Sequence, residues 1–240
     1  MPSSSDGDGK QIVLGVDVGG SNVKLLASDQ TGRRRFKSGP KLGPAEMADG
    51  VLEGADGWRW DVVSIGIPAP VHAGKVMTEP ANLGSGWVGF DFEAAFGKPT
   101  KVVNDAAMQA IGSYEGGRML FLGLGTGLGS TVIADGIVEP LELAHLPFRK
   151  HTFEDYVGRR ALEKRGKKKW KAAVFDTVEH LSAALEPDYI VLGGGEVREL
   201  DELPPNCRRG ANENAFLGAF RLWDPEWRGG EKPERGPVVI

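Results

Sequence analysis

Short apolar runs, most of them ended by glycine, divide the chain into elements. Residues 11–18, Gln-Ile-Val-Leu-Gly-Val-Asp-Val, predict a strand stopped by Gly19-Gly20. Val23 to Ala27 predict a second, so the pair reads as a hairpin with a glycine-rich turn. Arg33 to Lys37 predict a third strand with its charges facing water, and Pro44 opens a helix, since proline suits the first helical turn. Asp61 to Ile67 is almost continuously apolar, as a strand covered on both faces should be. Thr100 to Asn104 is another strand, with a helix starting at Asp105.

The second half repeats the theme. Arg118 to Leu124, a glycine turn and Ser130 to Ala134 form another hairpin, and Asp135-Gly136 turns the chain into a strand from Ile137. Two glycine-turned hairpins, each opening one half, suggest an internal duplication. Helices are predicted over Thr152–Glu163 and Lys167–Leu185. In the latter Trp170, Val174, Val178, Leu181 and Leu185 make one apolar stripe, read as core packing. Pro187 ends that helix, Asp188 to Leu192 is a buried strand delivering Gly193-Gly-Gly195, and Asn212 to Arg221 is a short terminal helix. Residues 1–10 read as a polar lead-in and 224–240 as a loose tail.

Composition narrows the function classes. The 240 residues suit one large domain or two small lobes. A single cysteine, Cys207, excludes an internal disulfide and a cysteine-built metal cage. With 29 basic and 33 acidic side chains the formal charge is −4, so no global positive field recruits nucleic acid. No apolar run approaches the roughly 18 residues of a membrane span, and the first ten residues show no apolar leader. The expectation is a cytoplasmic protein with neither membrane nor nucleic-acid partner. Glycine, at 35 of 240, is about twice the usual ~7 percent, and it has no repeat period, so it must serve turns.

Three of those turns each follow an apolar strand: Asp17-Val-Gly-Gly-Ser-Asn-Val-Lys24, Gly123-Leu-Gly-Thr-Gly-Leu-Gly129 and Gly193-Gly-Gly195. One alone is only a tight turn. Three together point to phosphate, because glycine lets backbone amides approach an anion and the Ser21 and Thr126 hydroxyls add donors. No stretch fits G-x-x-x-x-G-K-[ST]. G-x-G-x-x-G fails at Gly123 and at Gly125, whose sixth positions are Leu128 and Ser130. Two basic stretches, Lys164 to Lys169 and Arg208-Arg209, are either solvated surface or a face for a polyanionic donor.

The first turn resembles the phosphate-binding hairpin of actin-like sugar kinases, and more narrowly of the ROK group (repressors, open reading frames and kinases). Four further segments resemble that family in order: Glu79 to Trp87 its sugar-contacting loop, Val103-Asn-Asp-Ala-Ala its catalytic Asn-Asp segment, Leu124 to Ser130 its second phosphate loop, and Glu142-Leu-Ala-His145 its Glu-x-Gly-His sugar clamp.

The resemblance implies an α/β fold, actin-like (ribonuclease H-like), with mixed sheets in two lobes and a cleft between them. The lobes would be 11–105, completed by the terminal helix 212–222, and 106–211. It implies phosphoryl transfer to the 6-hydroxyl of glucose with Asp105 as general base. Asn82, Asn104, Glu142, His145 and Glu154 would hold the sugar. Gly19, Gly20, Ser21, Asn22, Lys24, Gly125, Thr126, Gly127, Gly193, Gly194 and Gly195 would hold phosphates, and Asp17 would hold Mg²⁺.

Two departures stand out. Ala144 occupies a position where the family usually has glycine, and the family's Cys-x-Cys-Gly-x-x-Gly-Cys zinc segment is missing, since Pro147 to Val157 contains no cysteine. No zinc is expected. The zinc-free form, with its Glu-Asp-Tyr stretch, resembles the polyphosphate glucokinases. Inorganic polyphosphate is then the expected donor, with Lys167, Lys168 and Lys169 lining its groove. The alternatives are an ATP-dependent glucokinase or mannokinase, or a sugar-sensing member. No helix-turn-helix precedes Gln11, and Asp105 is present, which speaks against a sensor. A homodimer is also implied.

Overall fold

The computed structural model describes residues 11–211 and 213–227; the lead-in 1–10 and the end of the tail, 228–240, lie outside the described residues. The first hairpin is β1 (Val13–Val18), buried throughout, against β2 (Asn22–Ala27), with β3 (Arg34–Lys37) on the far side of β2. Helix α1 (Pro44–Gly54) starts at its proline. Strand β4 (Val62–Ile67) runs parallel to β1 and is also fully buried. A small hairpin, β5 (Val71–His72) with β6 (Lys75–Val76), and helix α2 (Phe92–Phe96) lead to β7 (Thr100–Asn104), parallel to β4. The sheet order is β3-β2-β1-β4-β7.

Helix α3 (Asp105–Ser113) carries the chain to the second sheet. There β8 (Arg118–Leu124), β9 (Leu128–Ala134) and β10 (Ile137–Leu141) form the antiparallel part. Then come a short hairpin, β11 (Pro147–Phe148) with β12 (His151–Thr152), and helices α4 (Glu154–Val157), α5 (Arg159–Arg165) and α6 (Lys167–Leu185). Strands β13 (Tyr189–Gly193) and β14 (Cys207–Arg209) extend the sheet in parallel, giving β10-β9-β8-β13-β14. Helix α7 (Asn214–Arg221) follows. Each sheet is thus a three-stranded antiparallel meander continued by two parallel strands. The duplication suspected from the two hairpins is visible as topology.

Both sheets sit over apolar cores. Beneath the first, Leu14, Val16, Leu25, Met47, Ile65 and Trp87 are buried. Beneath the second, the α6 stripe Trp170, Val174, Val178 and Leu181 packs on Leu120, Leu122 and Ile190, and the Trp170 indole donates to Val157 O at 2.7 Å. Burial of this kind contributes about 25 cal/mol per Å² of apolar surface.

Two expectations change. The helix over Thr152–Glu163 is two helices, because Gly158 is extended (φ −68°, ψ 166°) and a side chain there would press on Thr126 O and Glu154 O. The stretch after Gly195 forms a 3-10 turn (Gly195–Glu199) and β14, neither anticipated. Among the described residues no helix is long and apolar enough to cross a membrane.

Candidate active site

The three glycine turns sit at the C-terminal ends of β1, β8 and β13. In the first, Gly19 N donates to Asn22 O at 3.0 Å, and Ser38 ties it to the end of β3: its amide donates to Ser21 O at 3.2 Å and its hydroxyl to Gly19 O. Asn82 lies against this turn, since a Cβ on Gly20 would meet Asn82 Cβ at 3.3 Å. The loop bearing Asn82 is closed by Glu79, whose carboxylate accepts from Trp87 N (3.1 Å) and Val88 N (3.4 Å). Trp87 itself is core, fully buried beside Phe92.

The second and third turns meet backbone to backbone. Gly123 pairs with Gly193 across β8 and β13, and a Cβ on Gly194 (φ +83°) would overlap Leu124 O, 2.6 Å from its carbon. A non-glycine residue is excluded there by both conformation and space. Gly125 N donates to Gly127 O at 3.1 Å, and Gly125 O accepts from Arg159 N at 2.9 Å.

Asp105 is the first residue of α3. Asn104 caps that helix: its Oδ1 accepts from Ala106 N (2.9 Å) and Ala107 N (3.2 Å), while its amide donates to Ala69 O (3.1 Å). Most of its side chain is therefore engaged by backbone, leaving one amide hydrogen for a ligand. Asp105 Oδ1 accepts from Ala106 N at 2.8 Å. Burial, then the charge of Asp17 and more weakly that of Glu142, pushes the Asp105 carboxyl up to about 7 against the opposing pull of that amide.

Asp17 is buried at the end of β1, and its Oδ2 accepts from Lys24 Nζ at 2.8 Å across the hairpin. Lys24, expected at phosphate, anchors a carboxylate in this structure. Glu142 follows β10; burial raises its carboxyl, opposed by His145, and Glu154 raises it further. Glu142 Oε2 and His145 Nε2 are 3.7 Å apart. Glu154, at the start of α4, covers the second turn so closely that a Cβ on Gly127 would overlap its Oε2. Asp17, Asp105, Glu142 and Glu154 form one chain of mutually felt charges reaching from the first sheet to the second.

The basic stretches are largely engaged elsewhere. Lys167 Nζ lies 3.2 Å from Asp201 and 3.5 Å from Glu199. Arg209 donates to the carbonyls of Val197 and Leu200, and Arg208 pairs with Glu115 and covers the Tyr189 ring. Lys168 and Lys169 are exposed. Arg159 escaped sequence reading: its Nε donates at 2.7 Å to the buried Glu196, tying the helix after the second turn to the segment after the third. No local pattern signals a pair 37 residues apart.

No family model matches the chain. The polyphosphate glucokinase of Mycobacterium tuberculosis is 28% identical over 214 residues, 80% of each protein. That of Mycobacterium leprae is 28% identical over 217 residues, 80% of this chain and 66% of its own. Among solved structures, the inorganic polyphosphate/ATP-glucomannokinase from Arthrobacter sp. strain KM superposes with a TM-score of 0.76 at 26% identity, covering 88% of this chain and 98% of that one. A ROK family glucokinase from Streptomyces griseus, with glucose and AMPPNP, covers the same shares at 0.73 and 16%, a likeness of fold. The chain is similar in sequence to these polyphosphate glucokinases and shares its fold with ROK family sugar kinases. Its fold is that of the actin-like sugar kinases, as the ordered motifs implied.

Where the ROK resemblance leads one to expect a cysteine-bound zinc, this chain has the hairpin β11–β12 packed by rings. Phe148 stacks on Phe153 (4.6 Å between centroids), Tyr156 meets Phe148 edge-on (5.3 Å), and Arg149 caps both rings while pairing with Asp176. Aromatic pairs of this kind contribute about 0.5–1.5 kcal/mol each beyond burial. Among the described residues no cluster of three or more His, Cys, Asp or Glu is placed to hold a metal. Ala144 is buried in the second core, where its methyl finds packing that glycine lacks.

Proposed function

We propose that this protein is a polyphosphate glucokinase, transferring a phosphoryl group from inorganic polyphosphate to the 6-hydroxyl of glucose. The observation that carries the reading is the position of Asp105, coupled in charge to Asp17 beside the first glycine turn and to Glu142 of the second sheet. A carboxyl raised to about 7 is part ionised at neutral pH and holds a bound proton better than an ordinary aspartate, which suits a general base. Asn82, the free amide hydrogen of Asn104, Glu142, His145 and Glu154 bind the ring hydroxyls. An analogue lacking a hydroxyl leaves such groups unmet and is rejected. The amides around Gly19, Gly20, Ser21 and Asn22, around Gly125, Thr126 and Gly127, and around Gly193, Gly194 and Gly195 receive phosphate oxygens.

A single buried carboxylate with one oxygen on Lys24 fits magnesium, which takes one or two carboxylates together with substrate phosphates. Asp17 is that residue, and Mg²⁺ would neutralise charge on the transferring phosphoryl group. The choice of polyphosphate leans on the names of the relatives above. A cytoplasmic homodimer belongs to the same reading on the family resemblance alone.

The donor is settled by a coupled assay of glucose 6-phosphate with each donor supplied alone. Product with polyphosphate is expected; product with ATP only would replace this reading with an ATP-dependent glucokinase. Purified protein is expected to carry no stoichiometric zinc and to need added Mg²⁺. One zinc per chain by elemental analysis, or full turnover in chelator, would overturn the metal assignment.

A further inference from the structure

Strand pairing carries the Asp17 position outward across the first sheet. Asp17 on β1 is registered with Lys24 on β2, and Lys24 with Arg35 on β3; one step nearer the glycine turn, Asn22 is registered with Lys37. Registered neighbours point to the same face, and so do residues two apart on a strand. Asp17, Lys24, Arg35 and Lys37 therefore share one face.

Independent contacts fix which face that is. Phe36 packs toward α1, where it fills the space beside Gly50, and Arg34 reaches the carbonyls of Gly54 and Asp56, so the even positions of β3 face α1. Arg33 pairs with Glu213 at the start of α7, so the odd positions face the other side. On that side Gly66, the β4 neighbour of Asp17, lies directly under Asp105: a Cβ on Gly66 would sit 3.4 Å from Asp105 Cα. The row runs from the proposed general base, past Asp17 and Lys24, to the sheet edge at β3.

Arg35 and Lys37 differ from many of the molecule's other cations. Among the described residues they make no ion pair, whereas Arg33, Arg149, Arg159, Lys167, Lys171 and Arg208 all do. Both are exposed. Lys37 also precedes Ser38, whose hydroxyl and amide pin the first turn. Two unneutralised cations thus continue a row that begins at the phosphate turn and spans two strand spacings, about 10 Å.

We propose that Lys24, Arg35 and Lys37 form a cationic strip that holds the part of a linear polyphosphate chain lying beyond the reacting end, leading it from the first glycine turn over the β3 edge. The strip rests on the donor reading above and adds a path to it. A repeating polyanion matches such a row because every unit presents the same charge, so contact does not depend on register. ATP, whose phosphates end at a nucleoside, engages the turns without reaching the sheet edge.

The test is the double variant Arg35→Gln/Lys37→Gln, with long-chain polyphosphate, tripolyphosphate and ATP as separate donors, and direct binding of labelled long-chain polyphosphate as a second readout. The variant Arg59→Gln/Lys98→Gln removes the same charge from exposed positions elsewhere. By analogy with single-stranded polyanions, the expected result is a KM for the long chain raised about tenfold, with the slope of log KM against log salt reduced by about 1.4. Tripolyphosphate, ATP and glucose should change far less, and the Arg59/Lys98 variant little. Wild-type turnover of polyphosphate with an unchanged long-chain KM in the Arg35/Lys37 variant overturns the strip and leaves the donor reading. So does an equal rise for all three donors, or an equal rise in the Arg59/Lys98 variant. Wild-type protein that neither uses nor binds polyphosphate overturns the donor reading and the strip together.

Discussion

Asp105→Asn is expected to lower kcat by about 10²–10⁴-fold while glucose affinity stays within about tenfold, because the amide keeps the shape but accepts no proton at neutral pH. The companion measurement is the pH profile. The carboxyl sits at about 7 in the folded protein against 3.8 unperturbed, and only its ionised form can act as base. In the wild type kcat/KM therefore rises with pH and levels off above about 7. Asp17 is the main charge behind that shift after burial, so in Asp17→Asn the limb of the residual activity should move to lower pH. An Asp105→Asn enzyme retaining most of the turnover, or a wild-type profile flat from pH 5 to 8, would remove the general-base assignment.

The same carboxyl should leave a mark on stability. A proton held more tightly in the folded than in the unfolded chain favours folding at low pH, and that contribution is lost as pH rises from about 4 through about 7. Asp105→Asn has no such group to ionise. Its melting temperature should gain on the wild type over that window and run parallel to it above pH 7. This readout is independent of turnover, so it separates a misplaced side chain from a misassigned role.

Much of the molecule was legible locally. Glycine after an apolar run marks the end of a strand wherever the chain must turn sharply, which is why the β1–β2 and β8–β9 hairpins and the strand before Gly193 follow from pattern. The α6 stripe gave its boundaries, Lys167 to Leu185, to the residue. What pattern cannot carry is a partner distant in sequence. Lys167 reads from sequence as part of a polyphosphate groove, yet Glu199 and Asp201 come back to it from the segment after the third glycine turn. Asn104 looked like a ligand, and its side chain first serves the amides of the helix it opens. Gly158 looked like a helical residue, and the second glycine turn behind it denies a side chain the space.

The helical glycines of α3 and α7 show the same gap with the largest consequence for stability. By propensity alone, replacing glycine inside a helix by alanine stabilises it by about 1 kcal/mol. Tertiary contact predicts the opposite sign here. A Cβ on Gly112 would overlap the carbonyl oxygen of Asn214, 2.7 Å from its carbon and 2.8 Å from Gly218 N. A Cβ on Gly218 would overlap the carbonyl oxygen of Met108, 2.8 Å from its carbon. The obstacles are backbone atoms of the facing helix, which cannot swing aside as a side chain does, so the helices must part. Nor is α7 free to retreat, because Ser64 Oγ donates to Ala219 O at 2.7 Å and Gly15 leaves room only for the Ala219 methyl. Overpacking costs typically 1–3 kcal/mol and sometimes more, and for a chain of this size about 3 kcal/mol corresponds to a fall in Tm of roughly 6–12 °C. Gly112→Ala and Gly218→Ala are each expected to fall in that range by thermal unfolding. Because α3 begins at Asp105 and is capped by Asn104, the surviving folded fraction should also lose kcat, and glucose affinity with it. Either variant melting at or above the wild type would mean that helix propensity outweighs the crossing, and that α3 is positioned by its cap and strand alone.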